Sequence, residues 1–524
     1  MVQYQFKLKT RGEYEAMCIK LNGSDLTICD AVKVSRFGEK VEIDEIAKAN
    51  IKKSREYVEK KLREGSVIYG LTTGFGKFSD KAISREDTKA LQKNLIISHA
   101  CGMGNFLPTE TVRAAMLLRC NALSKGFSGI RLETIETLVE MLNRGVHPLI
   151  PEKGSLGASG DLAPLSHIML VVIGEGEAEY KGEILPGGKA MKKAGIPTIE
   201  LEAKEGLALI NGTQIMTAIG CLVVYDAMDL MKTADIAAAM TSEALFGIKK
   251  AFDSKVHGVR PHPGQSASAR NLLKLLNGSG LAQDKIDGKV QDAYSIRCTP
   301  QVHGASRDAI NYAEKVIETE MNSVTDNPII FPDEDESISG GNFHGQPVGL
   351  AMDFLGIALS EFADISERRI ERLVNPHLSE GLPGFLTRNG GVNSGFMIAQ
   401  YSAASMVSEN KVYAHPACVD SIPSSGNQED HVSMGTTAAR KARMILDNTQ
   451  KVIGIELLAA AQGLYFRGEE KMAPATRAAY DHIRKSVAPI EDDVVMYPYL
   501  ATLDGMVKNH EITDSVKNIC ADIE

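Results

Sequence analysis

At 524 residues, with 44% hydrophobic and 24% charged positions, the chain is long and apolar enough to bury a large core. Its net charge of -9 and its lack of a basic stripe with interleaved aromatics exclude a general affinity for nucleic acid or anionic lipid. The polar start Met1–Thr10 does not read as a signal peptide, and the apolar run Ile215–Met231 carries Asp226 and Asp229, which disfavour a membrane span.

Eight cysteines are scattered without a CxxC pair, a pattern that fits neither a disulfide framework nor a zinc site. Reduced thiols, a cytoplasmic location and no metal centre are the expectation. Helical periodicity runs through Glu45–Glu64, Arg85–Ile97 and Glu110–Lys125, with Gly-rich turns between. Glu177–Leu185 reads as a small hairpin turning at Lys181-Gly182. The texture changes near residue 205, beyond which long helical runs cover Ile215–Ala251, Ala305–Ser323, Phe396–Val412 and Met434–Phe466. From Val348, the positions Met352, Leu355, Leu359, Phe362, Ile370 and Leu373 keep three-and-four spacing. Asp364, Glu367, Arg368 and Glu371 fall on other faces, and Asn375-Pro376 ends the run. The expected fold is mainly α: a mixed N-terminal domain over 1–205, then a long helical bundle with C-terminal helices over 206–524. Broad stripes rich in Ala and Met suit helices buried by other helices, including those of further copies.

The chemistry sits between the helices. Tyr69-Gly70-Leu71-Thr72-Thr73-Gly74-Phe75-Gly76 opens a Gly-rich loop over 69–78. A phosphate-binding reading of Gly70–Lys77 fails, because the glycine spacing is one residue too long and Phe78 replaces the magnesium-holding Ser/Thr. Residues 154–165 read Gly-Ser-Leu-Gly-Ala-Ser-Gly-Asp-Leu-Ala-Pro-Leu, with Asp161 placed to cap the helix that follows. Four further segments combine amides, rings and charges: Leu209–Gln214, Gln291–Cys298, Ser339–His344 and Gly426–His431. Taken singly, Arg297 fits a helix ion pair, Asn211 a helix cap, Phe343 a core residue, and His303 and His344 structural roles.

Taken in order, these six segments resemble the motifs of the aromatic amino acid ammonia-lyases and aminomutases, from about Leu26 to the last long helix. The resemblance implies a fumarase/aspartase-like helical bundle whose N-terminal domain bears the modified Ala-Ser-Gly loop. It implies that Ala158-Ser159-Gly160 cyclises autocatalytically into a 4-methylidene-imidazol-5-one, with no external coenzyme. The residue types suit that step. Gly160 has no Cβ to obstruct its nitrogen's approach to the Ala158 carbonyl carbon, and the Ser159 hydroxyl can leave as water. Amino acid elimination needs an electrophile that ordinary side chains do not offer. By the same resemblance Tyr69 is the acid/base tyrosine, and Tyr294, Asn211 and Gln291 support electrophile and substrate. Arg297 holds the substrate carboxylate, and Phe343 lines the site. The family builds such sites from three subunits of a homotetramer.

Lyases for phenylalanine or tyrosine in this family carry Phe-Leu or His-Leu where this chain has Ser98-His99, and the phenylalanine enzymes carry Gln where it has Glu429. The pair Ser98-His99 resembles the histidine-acting branch. An imidazole offers a donor and an acceptor that Glu429 and His99 can satisfy, whereas a benzene ring leaves them unpaired. The expected reaction is ammonia elimination from histidine to trans-urocanate, with Glu429 either orienting the ring or acting as the base. The alternatives are a tyrosine/phenylalanine lyase or 2,3-aminomutase, and a non-catalytic helical scaffold. Ala293, Thr299 and His303 depart from the Pro, Gln and Met typical of the pattern.

Overall fold

A computed structural model describes residues 18–66, 68, 73 and 87–524. The predicted tyrosine loop, Tyr69 included, lies outside the described residues apart from Thr73. The chain divides into two compact units. The first takes residues 1–218, 318–344 and 422–431; the second takes 219–317, 345–421 and 432–524.

The first unit is the mixed one. Asp44 caps the helix Glu45–Glu64 by accepting from the Ile46 N–H, and Gly65 closes it at φ 69 in the left-handed region. The helix Thr109–Ser124 is buried along almost its whole length, Arg119 included. The predicted hairpin forms as Glu177–Tyr180 paired with Glu183–Pro186, in register Tyr180↔Glu183. Its two turn residues, Lys181 and Gly182, both have positive φ, which matches the twist of a tight hairpin. The strand Val146–Pro148 adds to its other edge.

The second unit is helical, and its helices follow the predicted runs closely: Met397–Tyr413, Gln346–Val374 and Gly435–Arg467. The helix Gln346–Val374 stops at Asn375, just before Pro376. Small residues let the helices Gln346–Val374 and Gly435–Arg467 approach, with Gly356 lying against Ile445. The interior also holds charge. Arg369 and Glu456 are both fully buried and paired, with Ser366 and Thr241 donating to the same carboxylate. Removing one partner of such a pair leaves an uncompensated buried charge and costs about 3–5 kcal/mol. A second cluster joins Asp235 to His303 at 2.7 Å and Arg307 at 2.7 Å. Burial alone would raise the Asp235 pKa, but Arg307 and His303 hold it down to about 2.

Among the described residues, one helix, Gln214–Ala244, is long and apolar enough to cross a membrane, and 83% of its most apolar window is buried. Asp226 on that helix pairs with Arg443 at 2.8 Å. The eight cysteines are free thiols, and burial pushes Cys120 up to about 12, which makes it inert as a nucleophile.

Candidate active site

The loop 154–165 does not stand alone. Gly160 has φ 72, and a Cβ placed on it would lie 2.2 Å from the Gly212 carbonyl oxygen, so only glycine fits. The two backbones are in contact: the Asp161 N–H donates to the Gly212 oxygen at 2.7 Å. Asn211 closes the helix Glu205–Ile210, and its side-chain amide donates to the Ser159 carbonyl at 2.9 Å. Ala158 and Gly160 are buried, and Ser159 is half-buried.

Asp161 occupies the cap position of the helix Leu162–Val172 but makes no side-chain bond to it. This corrects the expectation from sequence. Its Oδ2 accepts instead from the N–H groups of Ile215 and Met216, at 3.0 and 2.9 Å, in the first turn of the helix Gln214–Ala244. Those are the orphan donors of a helix N-terminus, and a buried carboxylate satisfies two of them. The Ser155 hydroxyl donates to the other Asp161 oxygen at 2.8 Å and so ties the start of the loop to its end.

Glu429 reaches this loop from the segment 422–431. The Ser159 hydroxyl donates to Glu429 Oε1 at 2.8 Å, while the Ser424 hydroxyl donates to Oε2 at 3.0 Å. A backbone bridge between Ser424 and Glu429 fixes the turn that presents the carboxylate. His99 ends the helix Thr88–His99, and burial lowers its pKa while the charge of Glu429 pulls it the other way. Burial thus favours the neutral imidazole, the form that donates at one nitrogen and accepts at the other. Ser98 is exposed, with its hydroxyl 3.1 Å from His99 Nδ1. Phe343 is half-buried in the turn that carries His344, whose ring stacks on His431 at 5.8 Å.

The first unit thus brings together Ala158, Ser159, Gly160, Asn211, Glu429 and His99, and it also holds Ser98 and Phe343. Gln291, Tyr294 and Arg297 belong to the second unit, on and just before the short helix Tyr294–Arg297. Tyr294 is 70% exposed and Gln291 is exposed. The Arg297 guanidinium lies 4.6 Å from the Tyr294 ring centroid, and its Nε donates to the Asp292 carbonyl at 2.9 Å. That arrangement commits one edge of the guanidinium and presents the terminal nitrogens. Ala293, at φ -61, has the geometry proline also adopts, so that departure leaves the local backbone intact.

Sequence reasoning passed over the residues behind this loop. The buried Arg119 donates to the Gln214 side chain at 3.0 Å and to the Thr325 carbonyl at 3.2 Å, and burial brings its pKa down to about 10. Glu320 accepts from the Thr213 hydroxyl. Burial raises the Glu320 pKa; the Thr213 bond opposes that rise and the charge of Asp161 adds to it.

The profile described as aromatic amino acid lyase matches residues 26–485. A histidine ammonia-lyase of Alkaliphilus metalliredigens is 60% identical over 501 residues, covering 96% of this chain and 99% of that protein. The crystal structure of histidine ammonia-lyase from Trypanosoma cruzi superposes with a TM-score of 0.90 at 41% identity, covering 96% of each chain. Tyrosine aminomutase from Streptomyces globisporus superposes with a TM-score of 0.92 at 38% identity, covering 96% of this chain and 99% of that one.

Proposed function

The chain belongs to the aromatic amino acid lyase family, and from that premise we propose that it eliminates ammonia from L-histidine to give trans-urocanate, using an electrophile made from Ala158-Ser159-Gly160. One observation carries the reading: the Ser159 hydroxyl rests on Glu429 while Asn211 holds the Ser159 carbonyl. The tight contact of Gly160 with Gly212 fits the modified group, because ring closure needs a loop folded back on itself with no Cβ in the way. The Gly160 nitrogen bonds to the Ala158 carbonyl carbon, and that carbonyl oxygen leaves as water with the amide protons of Gly160 and Ser159. A second water takes the Ser159 hydroxyl and its Cα proton. When formed, the group supplies an electrophilic methylene carbon for the substrate amine, chemistry that side chains lack.

The surrounding residues bind and steer. Arg297, with its Nε committed to Asp292, offers its two terminal nitrogens to the substrate carboxylate. Glu429 accepts from the imidazole ring and stabilises positive charge on it, and His99 pairs with another edge. A phenyl ring would offer neither group a hydrogen-bonding partner. Tyr69 removes the β-proton, with Glu429 as the rival base. Asn211, Gln291 and Tyr294 support substrate and electrophile by hydrogen bonding, and Phe343 lines the pocket.

The assembly we propose is a cytoplasmic homotetramer whose sites combine residues of several subunits. Tyr294 and Gln291 are exposed in the single chain, as residues donated to a neighbour's site would be. Leu350, Phe354 and Ile357 lie exposed on one face of the helix Gln346–Val374, and Ile398 and Tyr401 are exposed on Met397–Tyr413. Apolar helix faces of that kind are buried by other copies. The test of the electrophile is the mass of the proteolytic peptide containing Gly154–Leu165. It is two water molecules lighter than its sequence; a full-mass peptide from folded protein refutes the mechanism.

A further inference from the structure

The electrophile loop takes its shape from the segment Asn211–Met216. Asn211 grips the Ser159 carbonyl, the Gly212 carbonyl takes the Asp161 N–H, and the Ile215 and Met216 N–H groups take the Asp161 carboxylate. Asn211 acts on the triplet itself, and the other three contacts fix Asp161, the residue bonded to its C-terminal end. What holds that segment in place is therefore as important as the loop itself.

The segment is held from behind by residues 320–325. The Thr213 hydroxyl donates to Glu320, in the last turn of the helix Thr299–Met321. The Thr217 hydroxyl donates to the Thr213 carbonyl at 2.8 Å. Beside it, the Gln214 amide donates to the Thr325 hydroxyl at 2.7 Å, and Arg119 bridges Gln214 to the Thr325 carbonyl. The packing is tight: a Cβ on Gly212 would lie 2.4 Å from Arg119 Nη1 and 2.6 Å from the Thr325 oxygen. Gly212 thus has the electrophile loop on one side and this clamp on the other. Glu320 takes no part in binding or proton transfer as derived above, yet it is a half-buried carboxyl bonded to the segment that shapes the loop.

We propose that Glu320 is a positioning residue for ring closure, acting through its bond with Thr213 to fix the segment against which Ala158-Ser159-Gly160 folds. The proposal rests on the reading that this triplet cyclises. The Gly160–Ala158 bond forms only when the two atoms are held at near-attack distance, and a misplacement of about 1 Å costs roughly 10²-fold in rate. Glutamine keeps the size of Glu320 and an oxygen that accepts from the same hydroxyl, so it is the conservative variant.

The experiment compares wild type, Glu320→Ala, Glu320→Gln, Thr213→Val and the double variant Glu320→Ala/Thr213→Val. For each, the fraction of the 154–165 peptide lighter by two waters is followed with time in the folded pool, alongside a thermal melt. Wild type and Glu320→Gln are expected to cyclise fully. Glu320→Ala and Thr213→Val are expected to close about 10²-fold more slowly, and the double variant no slower than either. Thr213→Val supplies the same test if Glu320→Ala fails to fold. Melting points that fall while every folded variant cyclises at the wild-type rate would overturn the proposal and leave Glu320 a stability residue. A wild-type peptide of full mass would instead overturn the electrophile reading beneath it.

Discussion

Ser159→Ala folds and assembles as wild type does, and it turns over histidine at least about 10⁴-fold more slowly. The hydroxyl lost is the leaving group for the exocyclic methylene, and an alanine can close a ring but cannot create that carbon. The structural cost is small. Before ring closure Ser159 is half-buried and its hydroxyl bonds Glu429 at 2.8 Å, an interaction worth about 1 kcal/mol that wild type itself gives up on cyclising. Steady-state kinetics and a thermal melt read the two halves separately. Activity within tenfold of wild type would mean that the electrophile lies elsewhere.

Glu429→Gln is the second large effect. The carboxylate is held by the Ser424 hydroxyl at 3.0 Å and by the Ser424–Glu429 backbone bridge, both of which outlast the Ser159 hydroxyl, so its direction is fixed before substrate arrives. Glutamine keeps the shape and one acceptor but loses the charge that complements an imidazole or accepts a proton. A drop of about 10²–10⁴ in kcat/KM on histidine is expected, with the fraction of cyclised peptide unchanged. A fall mainly in kcat marks Glu429 as the base, and a rise mainly in KM marks it as the ring-orienting group. A variant within threefold of wild type on both would place Glu429 in a structural network only.

Most of the helices were legible because their apolar spacing persists over many turns and stops at recognisable breakers, as at Asn375-Pro376. The electrophile loop was legible as a resemblance over twelve residues, and the geometry of Gly160 supplies the physical reason for its glycine. The supporting residues were not. Glu320 looks like any polar position in Glu314–Met321, since its partner Thr213 lies 107 residues away. Arg119 reads as one polar residue in a helix, yet it is fully buried because three distant segments converge on it. Asp161 has the local signature of a cap, and only the tertiary arrangement shows that it caps a different helix. The return of 318–344 and 422–431 to the first unit leaves no mark on local periodicity, although it delivers Glu429. His303, where methionine is typical, is fully buried against Asp235, a pairing with no short-range sequence signal.

The most direct test of the central claim is a substrate panel of L-histidine, L-tyrosine and L-phenylalanine with product identification by near-UV absorbance, ammonia release and mass. Histidine is expected to give trans-urocanate and ammonia in equal amounts, with kcat/KM far above that for either phenyl substrate. Cinnamate-type product from tyrosine or phenylalanine with histidine left intact, or a β-amino acid from any of the three, would contradict it.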